Sequence, residues 1–320
     1  MRAQRGAALL MAMLTVALVA SFAAAALWQQ WRGIEVEAAE RSRVQSGWIL
    51  TGALDWSRLI LREDARTGGA DHLAEPWAVP LEEARLSTFL AAEQGVAGSG
   101  DGDARDAFLS GRIADMQSRL NVANLIEAGR ISAPDLRAFT QLFAQLGLPP
   151  QQLSAFAENL RFASDISADN RSGGMAALMP QQVEQLVWLG LPPESIARIA
   201  PFVTLLPQRT PLNLNTAQAE AIQASVPGLN MSDAQRLVAV RQSAPFRSVA
   251  DADRLLGGIG ALTESRFSVA SRFFEVRGRL RLDGNIVEER SLVQRDGLEV
   301  RTLWRRRGIV LSEHAQAPVR

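Results

Sequence analysis

Between Gly6 and Trp31 the chain carries no charged side chain. That is about 26 residues, roughly 39 Å of helix, whereas crossing the hydrocarbon core of a bilayer takes about 20. Leu9, Leu10, Met13, Leu14, Val16, Leu18, Val19, Phe22 and Leu27 point to every side of such a helix. A helix that is apolar all round belongs in lipid or in a deep core. Arg2 and Arg5 precede the run. Positive flanks mark the cytoplasmic side, so the N-terminus is expected in the cytoplasm and the bulk of the chain outside. Trp28 and Trp31 stand where an interfacial aromatic belt would. A plain single-pass anchor fits this pattern. So does a cleaved secretory signal, for which Ala23 to Ala26 offer a small-residue cleavage site.

The helical pattern continues past the apolar run. No proline occurs from Gly33 to Arg66, and Ile34, Val36, Val44, Trp48, Ile49, Leu54, Leu59 and Ile60 alternate with Glu and Arg. This amphipathic period predicts one helix of about 60 residues, ended by Thr67-Gly68-Gly69. Gly95 to Asp106 read as a loop. A short strand is expected around Gly111 to Asp115. From Asn124 to about Arg266, helical segments are separated by Leu-Pro-Pro at 148 and again at 191, by Gly173-Gly174 and by Pro227-Gly228. Proline suits the first turn of a helix, so each Pro-Pro predicts a helix start. After Ser268 the period changes to two, with turns at Asp283-Gly284 and Asp296-Gly297. This predicts an antiparallel meander of about three strands. Arg277, Arg279, Arg281, Arg290 and Arg295 alternate with apolar positions there and read as one solvated face.

Composition narrows the chemistry. The 320 residues include no cysteine, lysine or tyrosine, and only two histidines, His72 and His314. Thiolate metal sites, Schiff bases and a lysine-bearing P-loop are excluded. No acid, base and nucleophile converge, so an enzyme is not expected. The 34 basic and 34 acidic residues cancel, which argues against a generally basic nucleic-acid binder.

One motif has two chemistries. Pro211-Leu212-Asn213-Leu214-Asn215-Thr216-Ala217, then Pro227-Gly228-Leu229, Arg241 and Pro245-Phe246, look like a helix-hairpin-helix unit in which Asn215 and Thr216 cap the first helix. Gly258-Ile259-Gly260 resembles a second hairpin. In DNA-binding versions such a turn offers backbone N–H groups to a phosphate. Here Asp233, Asp251 and Asp253 stand near the turns. A helical packing unit is the favoured reading, and a membrane-anchored DNA-binding protein for DNA uptake is the alternative. Leu120-Asn121-Val122-Ala123-Asn124 echoes the Leu-Asn pattern and could mark a second related unit.

Arg5-Gly6-Ala7-Ala8-Leu9-Leu10 resembles a type IV prepilin leader, cleaved between Gly6 and Ala7 with the apolar helix retained. Most pilins and pseudopilins carry Glu at the fifth mature position, which here is Met11. A carboxylate at that depth is costly unless a neighbouring subunit's amine pairs with it. Glu75-Pro76-Trp77-Ala78, Ile113 with Asp115 and Arg119-Leu120-Asn121, the Pro211 motif, and Arg272-Phe273-Phe274 follow in order. Together they resemble the type II secretion minor pseudopilin K family.

The resemblance implies an α+β fold: a long N-terminal transmembrane helix, a pilin-like antiparallel sheet, and a large all-α domain inserted between sheet strands. The expected division is a leader at 1–6, a membrane segment at 7–31 and the rest of the helix at 32–66. A β domain at 67–123 and 268–311 encloses an α domain at 124–267, and a tail follows at 312–320. The implied role is a subunit of the inner membrane that joins pseudopilins I and J, with H as a further candidate partner, at the tip of a periplasmic pseudopilus. Prepilin peptidase would cleave the leader, and Ala7 could be N-methylated. No nucleic acid is expected as a partner. Some relatives bind calcium through an acidic stretch of the α domain. The matching residues here, Asp165, Asp169 and Asn170, offer only two carboxylates, so weak or lost calcium binding is expected.

Overall fold

The computed structural model describes residues 5–87, 107–165, 177–258, 260–282 and 285–309. Helix α1 runs unbroken over Arg5–Thr67, 63 residues. Gly68 follows with φ of +68°, a left-handed conformation that ends the helix at the expected place. Its side chains from Ala8 onward are exposed, along an apolar stretch long enough to cross a membrane. From Ser46 the helix acquires a buried stripe: Ser46, Leu50, Leu54, Ser57 and Leu61. Their spacing of three and four keeps one face against the sheet.

That sheet has five antiparallel strands: β1 (Leu81–Arg85), β2 (Ala107–Asp115), β3 (Phe273–Leu282), β4 (Asn285–Asp296) and β5 (Glu299–Ile309). They lie side by side in sequence order. The three C-terminal strands are those the alternation predicts. Strand β1, Leu-Glu-Glu-Ala-Arg, carries no strand signal and forms because β2 offers it an edge. Between β2 and β3, which are direct neighbours, the chain leaves the sheet at Asp115 and returns at Phe273. The helical domain is therefore an insertion within one sheet.

Small residues set how closely the layers approach. A Cβ on Gly278 would lie 3.3 Å from the Leu50 side chain, and one on Gly111 would lie 2.9 Å from the Arg277 backbone carbonyl oxygen. Trp77 fills the space beside them. It is buried, packs edge-on to Phe274 at 5.2 Å between ring centres, and donates its indole N–H to Glu75 at 2.8 Å. This accounts for the Glu75-Pro76-Trp77 motif as a plug between helix and sheet.

The insertion consists of two helical units with separate cores. The first holds α2 (Ala133–Gln145), α3 (Pro150–Ser164), a 3-10 helix (Val183–Leu189) and α4 (Pro193–Ile199), around Phe139, Phe143, Phe156 and Leu189. Pro150 and Pro193 are the first residues of α3 and α4, as expected. The second holds α5 (Ala219–Ser225), α6 (Met231–Ser243) and α7 (Val249–Leu255), around Leu214, Ile222, Leu237 and Phe267. Each unit opens with Leu-Asn, and that dipeptide pairs in parallel with the residues that close the unit. Leu120–Asn121 pairs with Val203–Thr204, and Leu212–Asn213 pairs with Phe267–Ser268. The Leu-Asn echo thus marks two units closed in the same way.

A methyl group at Gly111 has backbone on its path and cannot be relieved by a side-chain rotation. We expect Gly111→Ala to destabilise the fold by about 1–3 kcal/mol. Gly52 lies in the helix with open space around it, so Gly52→Ala should stabilise by roughly 0.5–1 kcal/mol. Denaturation midpoints of the two variants provide the check.

Candidate functional site

Three regions carry the residues singled out in the sequence. The first is the N-terminus. Gly6 and Ala7 fall in the first turn of α1, and Met1 to Gln4 lie outside the described residues. Met11 is 72% exposed on the apolar helix, with Leu10 and Leu14 similarly uncovered. No described carboxylate lies in the membrane segment, so this helix can enter lipid without the cost of a buried charge.

The second region comprises the hairpins. The helix following Asn215 and Thr216 is capped at Gln218, and neither of the expected residues caps it. Both are buried instead. Asn215 donates to the Phe246 carbonyl and accepts the Phe246 N–H, each at 2.9 Å, so it staples the loop before α7. In the first hairpin Asn230 caps α6 by accepting the Asp233 N–H at 2.8 Å. In the second, the Asp253 carboxylate accepts the N–H of Gly260 at 3.0 Å and of Leu262 at 3.1 Å. Backbone donors that could cradle a phosphate are thus occupied by the chain's own anion. Arg241 is buried and donates to the Leu214 carbonyl; burial lowers its pKa to about 10. Among the described residues, these side chains cap and pack the hairpins.

The third region is a buried polar hub where the insertion meets the sheet. Asp115, the last residue of β2, is 4% exposed. Its carboxylate accepts four hydrogen bonds: Gln117 N–H at 2.7 Å, Asn213 Nδ2 at 3.1 Å, Thr216 Oγ1 at 2.6 Å and Ser271 Oγ at 2.7 Å. One carboxylate thereby ties the end of β2, the start of the second helical unit and the return to β3. Burial raises its pKa to about 6, against the pull of its donors. Beside it, Arg295 of β4 bridges Asp64 of α1 and Asp71 of the following loop, and donates to the Ser271 carbonyl at 2.9 Å. Burial raises the Asp71 pKa, with Arg295 opposing. Burial alone would lower that of Arg295, but Asp71 and Asp64 outweigh it and leave it raised.

Arg295 therefore does not belong to a solvated row with Arg277, Arg279, Arg281 and Arg290. It is 9% exposed, on the helix side of the sheet. Residues 290 and 295 are five apart, which in a strand puts them on opposite faces. That parity was the available signal.

Asp64, Asp71 and Glu75 place carboxylate oxygens within 4.8 Å of one another. Their charges are already engaged: Arg295 holds the two aspartates, while Glu75 accepts from Trp77 and from the His72 N–H at 2.8 Å. A metal ion would have to displace a guanidinium, so the set does not fit a cation site. Of the expected calcium residues, Asp165 caps the C-terminal end of α3, and Asp169 and Asn170 lie outside the described residues.

Two family models, each described as Type II secretion system (T2SS), protein K, match residues 118–208 and 212–270. Their limits coincide with the two helical units. The curated type II secretion system protein K of Pseudomonas aeruginosa is 27% identical over 300 residues, covering 86% of this chain and 84% of its own length. Among solved structures, a chain of the GspK-GspI-GspJ complex from enterotoxigenic Escherichia coli superposes with a TM-score of 0.58 and 18% identity. That match covers 84% of this chain and 98% of the other.

Removing the hub carboxylate strands its four donors. We expect Asp115→Ala to destabilise by roughly 3 kcal/mol or more. A raised folded-state pKa means that the fold prefers the protonated form. This group's contribution therefore falls as pH rises from about 4 towards 6, and is flat above that. Asp115→Asn should remove that slope, so the difference between wild-type and variant denaturation midpoints should change between pH 4.5 and 7.5.

Proposed function

We propose that this chain, which is similar to type II secretion system protein K over both helical units and along most of its length, is a minor pseudopilin of that family that joins pseudopilins I and J. Together they would form the tip complex of a periplasmic pseudopilus that supports protein export across the outer membrane. The role is assembly, with no catalysis. The observation that carries this reading is the combination of one long helix, half apolar and half packed on a sheet, with a bulky helical insertion at Asp115–Phe273. The helix supplies a shaft that can enter a fibre from the membrane. The insertion adds a two-unit mass that would block further stacking, which suits a terminal subunit. Met11 supports the same place: a first subunit has no earlier neighbour whose amine would need a carboxylate.

In this reading the chain crosses the inner membrane once, with its N-terminus cytoplasmic. Prepilin peptidase cleaves between Gly6 and Ala7, and Ala7 becomes the N-terminus, open to methylation. Pseudopilin H would be a further partner of the complex. The occupied hairpin donors and the neutral charge balance weigh against the DNA-uptake reading.

Co-expressed with a prepilin peptidase, the chain should yield a mature N-terminus at Ala7 by intact-mass and peptide mass spectrometry. A chain that begins after Ala26, or one that keeps Met1, would contradict the assignment. Co-purified with pseudopilins I and J, it should run as a stoichiometric ternary complex at micromolar concentration; independent elution of the three would contradict the tip role.

A further inference from the structure

The sheet face turned away from α1 carries an unusual row. Arg112 of β2 stands directly opposite Arg277 of β3, Arg277 opposite Arg290 of β4, and Arg290 opposite Arg306 of β5. Four arginines thus stand side by side on four successive strands, whose backbones are about 5 Å apart. Like charges placed directly opposite destabilise a sheet, so such a row is not what folding alone would select.

The charge is only partly compensated. Arg277 and Arg290 share Glu288, at 3.8 and 3.1 Å, Arg277 reaches Glu275 at 3.4 Å, Arg290 also lies 3.9 Å from Glu184 of the insertion, and Arg306 donates to Gln182. The Nε of Arg277 is buried with no hydrogen-bond acceptor. Arg112, and Arg279 two residues along β3, are exposed and have no ion-pair or hydrogen-bond partner among the described residues. Donors are therefore left over along the row.

We propose that this row is a docking surface for an acidic segment of a partner protein, lying across the strands with its carboxylates on the arginines. The reading goes beyond the assembly role above and stands independently of it. Three observations select a carboxylate-bearing partner. The first is that every cation is arginine, in a chain without lysine; the planar fork grips a carboxylate through two parallel bonds. The second is that Glu275 and Glu288 flank the row, two residues along their strands from Arg277 and Arg290, which disfavours the dense, continuous charge of a nucleic-acid backbone. The third is the height of the row above the chain's own membrane. Arg307, next to the row's Arg306, reaches the carbonyl of Gly47 on α1. Gly47 is about 24 Å of helix beyond Trp31, roughly three screening lengths at physiological salt. Lipid headgroups at the anchor are therefore too far away to neutralise it.

The test uses the full chain in neutral phosphatidylcholine nanodiscs and a decaglutamate peptide, with decaglutamine, a short DNA duplex and phosphatidylglycerol vesicles as comparison ligands. Titration calorimetry at 50 mM salt should detect decaglutamate binding and no decaglutamine binding. The affinity should fall about tenfold or more at 300 mM salt, and by a similar factor in the Arg112→Gln/Arg279→Gln double variant. The denaturation midpoint of that variant should stay level, since Arg112 faces the like charge of Arg277 while Arg279 faces Glu288 without forming an ion pair with it. Absence of decaglutamate binding, equal affinity in the variant, or tighter binding of DNA or vesicles would overturn the proposal. A lower midpoint in the variant would overturn it too, by giving the row a structural role.

Discussion

A charge taken out of water must find a partner, and in this protein that requirement decides how two halves of the chain meet. Asp115 and Arg295 are both buried where the sheet, the long helix and the helical insertion come together. Asp115 is satisfied only if Asn213, Thr216 and Ser271 are all in place. Arg295 is satisfied only if Asp64 and Asp71 are. The first set joins β2 to the second helical unit and to the return into β3; the second joins β4 to the end of α1 and the loop after it. The cost of leaving the Asp115 charge alone makes correct docking of the insertion a condition of folding, and Arg295 does the same for α1 on the sheet.

The same economy appears at smaller scale in the two helical units. Each is closed by a Leu-Asn dipeptide that pairs with the unit's last residues. Each asparagine side chain then serves the backbone next to it. Asn121 accepts from Ala123 and Leu206 at 3.1 Å, and Asn213 accepts from Asn215 at 2.9 Å. A closed unit does not depend on the sheet for its core, which is how a sheet can carry so large an excursion between adjacent strands.

Much of this was legible in the sequence because it is local. The uncharged run from Gly6, the glycines at 68 and 69, the Pro-Pro helix starts and the period-two alternation after Ser268 each act within a few residues. What was not legible depends on partners far along the chain. Strand β1 has no strand composition and owes its form to β2. Asn215 and Thr216 have the chemistry of helix caps, but Phe246 and Asp115 claim them from 31 and 101 residues away. Arg295 looked like its neighbours in composition; only the parity of its position separates it from Arg290. The hub, the feature that organises the fold, left only the motifs Asp115, Asn213 and Arg272-Phe273 as traces.

The Asp115–Arg295 hub locks the insertion, the long helix and the five-stranded sheet into one cooperative structure. Native-state hydrogen exchange on the full chain tests it most directly. The amides of Gln117, Asn215 and Ser271, which hydrogen-bond to groups in the hub, should exchange only through the same opening as the central strands β3 and β4, with equal free energy. If they instead exchange through a separate, lower-energy opening together with helices α5 to α7, the hub does not couple the two parts and the account is wrong.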